Sequence, residues 1–143
     1  MNNYDLLYFL HGLIILMVGL IGGYFFAHAI KKKDGGEVAW RVVHSGGCAA
    51  GVLLIALGGV INRLAILDLM NSFILWGVVS STYLLIIGMV IAAISGERGI
   101  GNSEGKKSSL WKIVYYLYGV GALVSILSIG TLIVVCLNQI VVA

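Results

Sequence analysis

Four long apolar runs, each lacking charge in its interior, constrain this chain more than any other feature. They cover about residues 6–30, 42–61, 72–94 and 111–137. A membrane-spanning helix needs about 20 mostly apolar residues, and each run reaches or exceeds that length. Unbroken apolar stretches lack the strict alternation of a membrane β-barrel. The expected fold is therefore all-α: an integral membrane four-helix bundle with antiparallel, up-and-down helices, forming one transmembrane domain over residues 1–143. Composition excludes the alternatives. Sixty percent of the residues are hydrophobic and 10% are charged, too little polar surface for a soluble domain of this size. Disorder requires the opposite balance. The chain contains no proline, which argues against broken-helix transporter designs.

The first run imitates a secretory signal at Ala27-His28-Ala29. However, Met1–Asp5 carries no Lys or Arg, and the run exceeds the 7–15 apolar residues of a signal core. It reads as a retained helix.

The charges that exist set topology. Lys31, Lys32, Lys33 and Arg41 fall between the first two runs, and Arg98, Lys106, Lys107 and Lys112 between the last two. Arg63 alone lies on the other side. By the positive-inside rule, loops 31–41 and 95–112 face the cytoplasm and both termini lie outside the cell (inner) membrane. The net charge of +3 thus reflects membrane lipid and topology; no basic face with interleaved aromatics offers a nucleic-acid surface. Cys48 and Cys136 are placed near opposite membrane faces, where they read as two small buried hydrophobes rather than a disulfide. Gly19/Gly23 and Gly47/Gly51 form two GxxxG pairs, which permit close approach of helices.

Ionisable residues inside a membrane are the default functional candidates. All six carboxylates (Asp5, Asp34, Glu37, Asp68, Glu97 and Glu104) are in termini or loops. That argues against a proton-coupled carrier and against a hard-cation site. Three histidines remain. His11 is expected one turn into the first helix, on the outer side. His28 in the last turn of that helix and His44 in the first turn of the second would share a depth, about 25 Å from His11 at 1.5 Å per residue. One metal cannot then bind both His11 and His44.

His44 has two readings: an interfacial histidine at a helix start, or an axial ligand of haem iron, a common role for neutral imidazole. On the second reading Gly47 and Cys48, at i+3 and i+4, supply a small-residue face beside the ligand, with Ser45 adjacent. Arg41, one turn earlier, is placed to pair with a propionate. His28 groups with Tyr24, Phe25 and the lysines at the interface. His11 reads as a helix–helix hydrogen-bonding group or part of a pocket. Tyr83 shares a face of the third helix with Trp76 and Ser80, and Tyr115 and Tyr118 share a face of the fourth. Asn138 and Gln139 mark the expected exit of the fourth helix.

Several short motifs, in order along the helices, resemble the styrene oxide isomerase family, whose broader relatives include hydroxylaminobenzene mutase. His11-Gly12-Leu13-Ile14 is similar to that family's His-Gly-Ile-Leu. Trp40 followed by His44-Ser45-Gly46 is similar to its Trp…His-Ser-Gly. Arg98-Gly99-Ile100 looks like its Arg-Gly-Leu, and Tyr116-Leu117-Tyr118-Gly119-Val120 looks like its Tyr-Leu-Phe-Gly-Val. The resemblance implies a homotrimer with haem b between subunits and His44 as the axial ligand. It also implies a ferric iron acting as Lewis acid on a small apolar epoxide to give an aldehyde. Arg41, Ser45, Gly47 and Cys48 would then border the cofactor. The family's polar positions differ here: its asparagine six residues after the ligand falls on Ala50, its active-site tyrosine on Met89, and its nearby tryptophan on Tyr83. Either a different set such as Tyr83, His11 or Tyr8 then orients the substrate, or the substrate differs, or isomerase activity is lost. The competing readings are an electron-transfer cytochrome b with His28 and His44 as two axial ligands, and a membrane subunit that binds haem without isomerase activity or carries no cofactor.

Overall fold

A computed structural model describes residues 3–32, 36–61, 63, 64, 66, 68–96 and 108–142. These residues form four α-helices and no strand: α1 Tyr4–Lys32, α2 Glu37–Ile61, α3 Asp68–Ser95 and α4 Ser109–Val142. Each is long and apolar enough to cross a membrane, so the chain is an integral membrane protein of the expected all-helical class. The helices outrun the apolar spans at nearly every end. Polar residues at a membrane interface still favour helix when they complement its dipole, as Asp5, Glu37 and Asp68 do in first turns and Lys31 and Lys32 in a last turn. Asn138 and Gln139 accordingly do not end α4, which continues to Val142. Loop residues 33–35, 97–107 and their charges lie outside the described residues, as does Asn62.

Local signals fix the ends. Ser108 Oγ accepts a hydrogen bond from the Trp111 N–H at 3.0 Å, capping α4. Gly96 closes α3 with φ +75°, and its N–H bonds to the Ala92 carbonyl at 2.9 Å. This is the left-handed cap that glycine adopts without a Cβ penalty.

Lipid removes the hydrophobic drive between helices, so van der Waals fit must hold α1 to α2. Glycines supply that fit. A Cβ on Gly19 would lie 2.5 Å from the Cys48 nitrogen, one on Gly47 2.7 Å from the Gly19 Cα, and one on Gly51 2.7 Å from the Leu16 nitrogen. The two backbones touch, with rising numbers on α1 meeting falling numbers on α2, so the pair is antiparallel. Both GxxxG pairs read from the sequence sit in or beside this seam. α3 and α4 form a second antiparallel pair, in which the Ser128 side chain fills the space a Cβ on Gly77 would need. The pairs join through α3, which packs on α2 and α1; among the described residues the α4 backbone comes close to α3 alone. Tyr8, Ile15, Leu54, Ile61, Ile74, Leu75 and Val78 fill the shared core.

This seam corrects the expected depths. His44 is not in the first turn of α2 but seven residues past Glu37, about 10 Å along the axis. Cys48 likewise lies near the middle of α2 rather than at its end. Both cysteines are free thiols.

Candidate functional site

His44 lies three residues before Gly47 on the α2 stripe that faces α1, because positions three and four apart share a helix face. Its ring rests on Gly23: a Cβ there would come within 2.7 Å of Nδ1 and 3.0 Å of Cε1. Nδ1 is 2.9 Å from the Gly19 carbonyl oxygen. A carbonyl only accepts, so Nδ1 carries a proton, and in the neutral ring Nε2 keeps its lone pair. Cys48 Sγ lies 3.6 Å from the same Nδ1. Among the described residues Nε2 has no hydrogen-bond partner. This is the arrangement that prepares a histidine to ligate metal through Nε2, with a backbone carbonyl fixing the tautomer.

The neighbours expected around the ligand are divided by the fold. Arg41 and Ser45 are exposed, and Ser45 Oγ donates to the Val42 carbonyl at 3.5 Å. Gly47 is buried against Gly19, and Cys48 also faces α1. The small-residue face at i+3 and i+4 is therefore filled by α1 in this chain and packs a helix rather than lying open beside His44. Trp40, one turn before His44, stacks on Phe25 with ring centroids 4.6 Å apart. His28 does not share the depth of His44. It stacks on Tyr24 and is exposed, five residues or about 7.5 Å beyond Gly23 along α1.

His11 and Tyr83, named as catalytic candidates, are brought together. His11 Nδ1 and Tyr83 Oη share a hydrogen bond of 3.1 Å. Tyr83 and Trp76 both meet the His11 ring edge-on, at 5.7 and 6.0 Å. His44 stands level with Gly19 to Gly23, eight to twelve residues past His11 on α1. Their axial separation is thus about 12–18 Å rather than 25 Å, still too far to share one ligand. Met89 packs on Gly46, on the other side of α2 from the His44 ring. Met89, Val42 and Tyr118 line two apolar clefts of about 350 and 700 Å³. Ala50 packs against the core.

Among the described residues no three His, Cys, Asp or Glu side chains gather where they could hold a metal ion. His44 offers a single nitrogen, which matches a metal whose remaining ligands come from a macrocycle. The sequence reading missed the two α1 positions that shape this nitrogen, Gly19 and Gly23; the GxxxG pair they form was the available signal.

The sequence model of styrene oxide isomerase matches residues 4–137, almost the full length of the four helices. The chain belongs to the styrene oxide isomerase family. No curated protein matches it. The family match covers His44, the Gly19–His44 contact and the clefts at Met89 and Tyr118, so the whole candidate site lies within the part of the chain that styrene oxide isomerases share. Membership assigns the protein to an isomerase family with four membrane-spanning helices.

Proposed function

We propose that this chain is a membrane-bound haem b isomerase that converts a small apolar epoxide to a carbonyl compound, with His44 as the axial ligand. The observation that supports this most is the hydrogen bond of 2.9 Å from His44 Nδ1–H to the Gly19 carbonyl, which in the neutral ring keeps the Nε2 lone pair for coordination. When bound, ferric haem b supplies a Lewis-acidic iron that favours epoxide ring opening and hydride shift without net redox. The chain's own residues do the rest. His44 holds the cofactor. Arg41, exposed one turn nearer the helix start, pairs with a propionate at the membrane surface. The apolar, membrane-spanning helices suit an apolar epoxide and disfavour the water that would divert it to a diol.

The assembly in this reading is a homotrimer. α4 packs on α3 alone among the described residues, and only 11% of its apolar 18-residue stretch is buried within the chain, which supports contact with another copy. A bis-histidine cytochrome is the weaker alternative, because His28 is exposed and stacked on Tyr24 rather than turned toward His44.

The test is spectroscopic. Protein purified in detergent after expression with adequate haem is expected to show a Soret band and a high-spin ferric resonance. Both should vanish in His44→Ala and persist in His28→Ala. Epoxide turnover should follow the same pattern. Absence of a Soret band, or a low-spin spectrum lost in both variants, overturns this reading.

A further inference from the structure

His44 belongs to α2, yet every contact that orients its ring comes from α1 or closes over the same nitrogen. The Gly19 carbonyl accepts from Nδ1 at 2.9 Å. Gly23 lies under the ring, its missing side chain leaving room for Nδ1, Cε1 and Cγ, which would stand 2.7, 3.0 and 3.3 Å from a Cβ. Distances this short mean the ring and an alanine at 23 cannot both keep their places. Cys48 Sγ, 3.6 Å from Nδ1, blocks another approach to that nitrogen.

We infer that Gly19 and Gly23 of α1 are positioning residues for His44: the Gly19 carbonyl sets its tautomer and the Gly23 surface sets its plane, so α1 decides which nitrogen is offered and in which direction. The link to haem rests on the function proposed above; the geometry of the ring does not. A histidine tautomer follows the hydrogen bond made by the other nitrogen. Such outer contacts typically alter metal affinity about 10–100-fold when lost. An alanine at 23 pushes the imidazole off its rotamer, weakens the bond to Gly19 and turns Nε2 away. The two helices therefore couple ligand geometry to their own packing.

Gly12 provides the control. A Cβ there meets Ile55 Cγ1 at 2.7 Å and the Gly51 carbonyl at 2.9 Å, disturbing the same seam without touching His44.

The experiment uses the full chain in detergent, labelled with ¹⁵N-histidine and purified free of haem, with His44 assigned by subtraction of His44→Gln. The parent should show the Nδ1–H tautomer at His44. Gly23→Ala should lose that signature and bind added hemin at least about tenfold more weakly. Gly12→Ala should keep the tautomer and bind hemin within a few-fold of the parent. An Nε2–H tautomer in the parent overturns the inference, and needs no variant to fold. So does a Gly23→Ala protein with the parent's tautomer and hemin affinity, or a Gly12→Ala protein that loses as much affinity as Gly23→Ala. A parent that shows the Nδ1–H tautomer but binds no hemin sinks the haem function and leaves the positioning of His44 standing.

Discussion

His11 and Tyr83 are hydrogen-bonded to each other across α1 and α3, with Nδ1 3.1 Å from Oη. The bond pairs one ring nitrogen of His11 with the Tyr83 hydroxyl between half-buried side chains. Interhelical hydrogen bonds of this kind in membranes average about 0.6 kcal/mol and reach about 1.7. Tyr83→Phe is therefore expected to lower thermal stability in detergent by about 1 kcal/mol. It should leave the haem spectrum unchanged, since His44 stands about 12–18 Å away along the axis. An altered Soret band in Tyr83→Phe would show that the pair reaches the cofactor after all.

Two tyrosines on successive turns of α1 should respond in opposite ways to the same substitution. Tyr4 Oη shares a hydrogen bond of 2.7 Å with Ser72 Oγ. Tyr8 is fully buried, and its hydroxyl has no hydrogen-bond partner among the described residues. A buried hydroxyl without a partner costs about 1–3 kcal/mol, whereas a satisfied one contributes about 0.5–1.5. Tyr4→Phe is expected to destabilise by about 1 kcal/mol and Tyr8→Phe to be neutral or stabilising by a similar amount. Unfolding midpoints of the two variants in one detergent decide the matter. Equal losses would mean that Tyr8 has found a donor or acceptor of its own.

What the residues disclosed follows a physical division. Hydropathy over 20-residue windows needs no knowledge of neighbours, so all four helices were legible, and so was the role of Gly19 and Gly47 in close packing. Helix ends were not, because Glu37 to Arg41 and the pair Asn138 and Gln139 look like loop to an apolar count yet remain helical at an interface. That error placed His44 in the first turn, level with His28, when it lies in the third. The partnership of His11 with Tyr83 depends on α1 and α3 facing each other, which no one-dimensional pattern states. Gly19 contributes to His44 through its carbonyl, a group every residue has; the GxxxG pair pointed to its packing, and only the fold shows which side chain its carbonyl meets.

The seam glycine Gly51 differs sharply from Gly130 of α4, and substitution should reveal it. A Cβ at Gly51 would meet the Leu16 nitrogen at 2.7 Å and the Gly12 carbonyl at 2.8 Å. Backbone atoms cannot rotate aside, so α1 and α2 must separate. Gly130 in α4 has nothing within 4 Å of the same position. Gly51→Ala is expected to destabilise by about 1–3 kcal/mol, the cost of overpacking. Gly130→Ala should be neutral or gain up to about 1 kcal/mol of helix propensity. Thermal unfolding in detergent checks both. A neutral Gly51→Ala would contradict the close approach of the two backbones.

Topology supplies the last prediction. Lys31 and Lys32 close α1, Arg41 lies in the second turn of α2, and Lys112 lies in the first turns of α4. These four residues flank the two connections at one end of the bundle, whereas Arg63 is the lone basic residue of the connection at the other. Lys and Arg near span ends are retained on the cytoplasmic side. An alkaline phosphatase fused after Ala143 should therefore be active, and the same enzyme inserted between residues 97 and 107 should be inactive; a fluorescent protein that matures only in the cytoplasm should give the reverse pattern. Replacing Lys31, Lys32, Lys33 and Arg41 together with glutamine removes most of the bias at the first connection and should produce a mixed orientation. Phosphatase activity at the 97–107 insertion in the unaltered chain would invert the topology and place Arg41 outside.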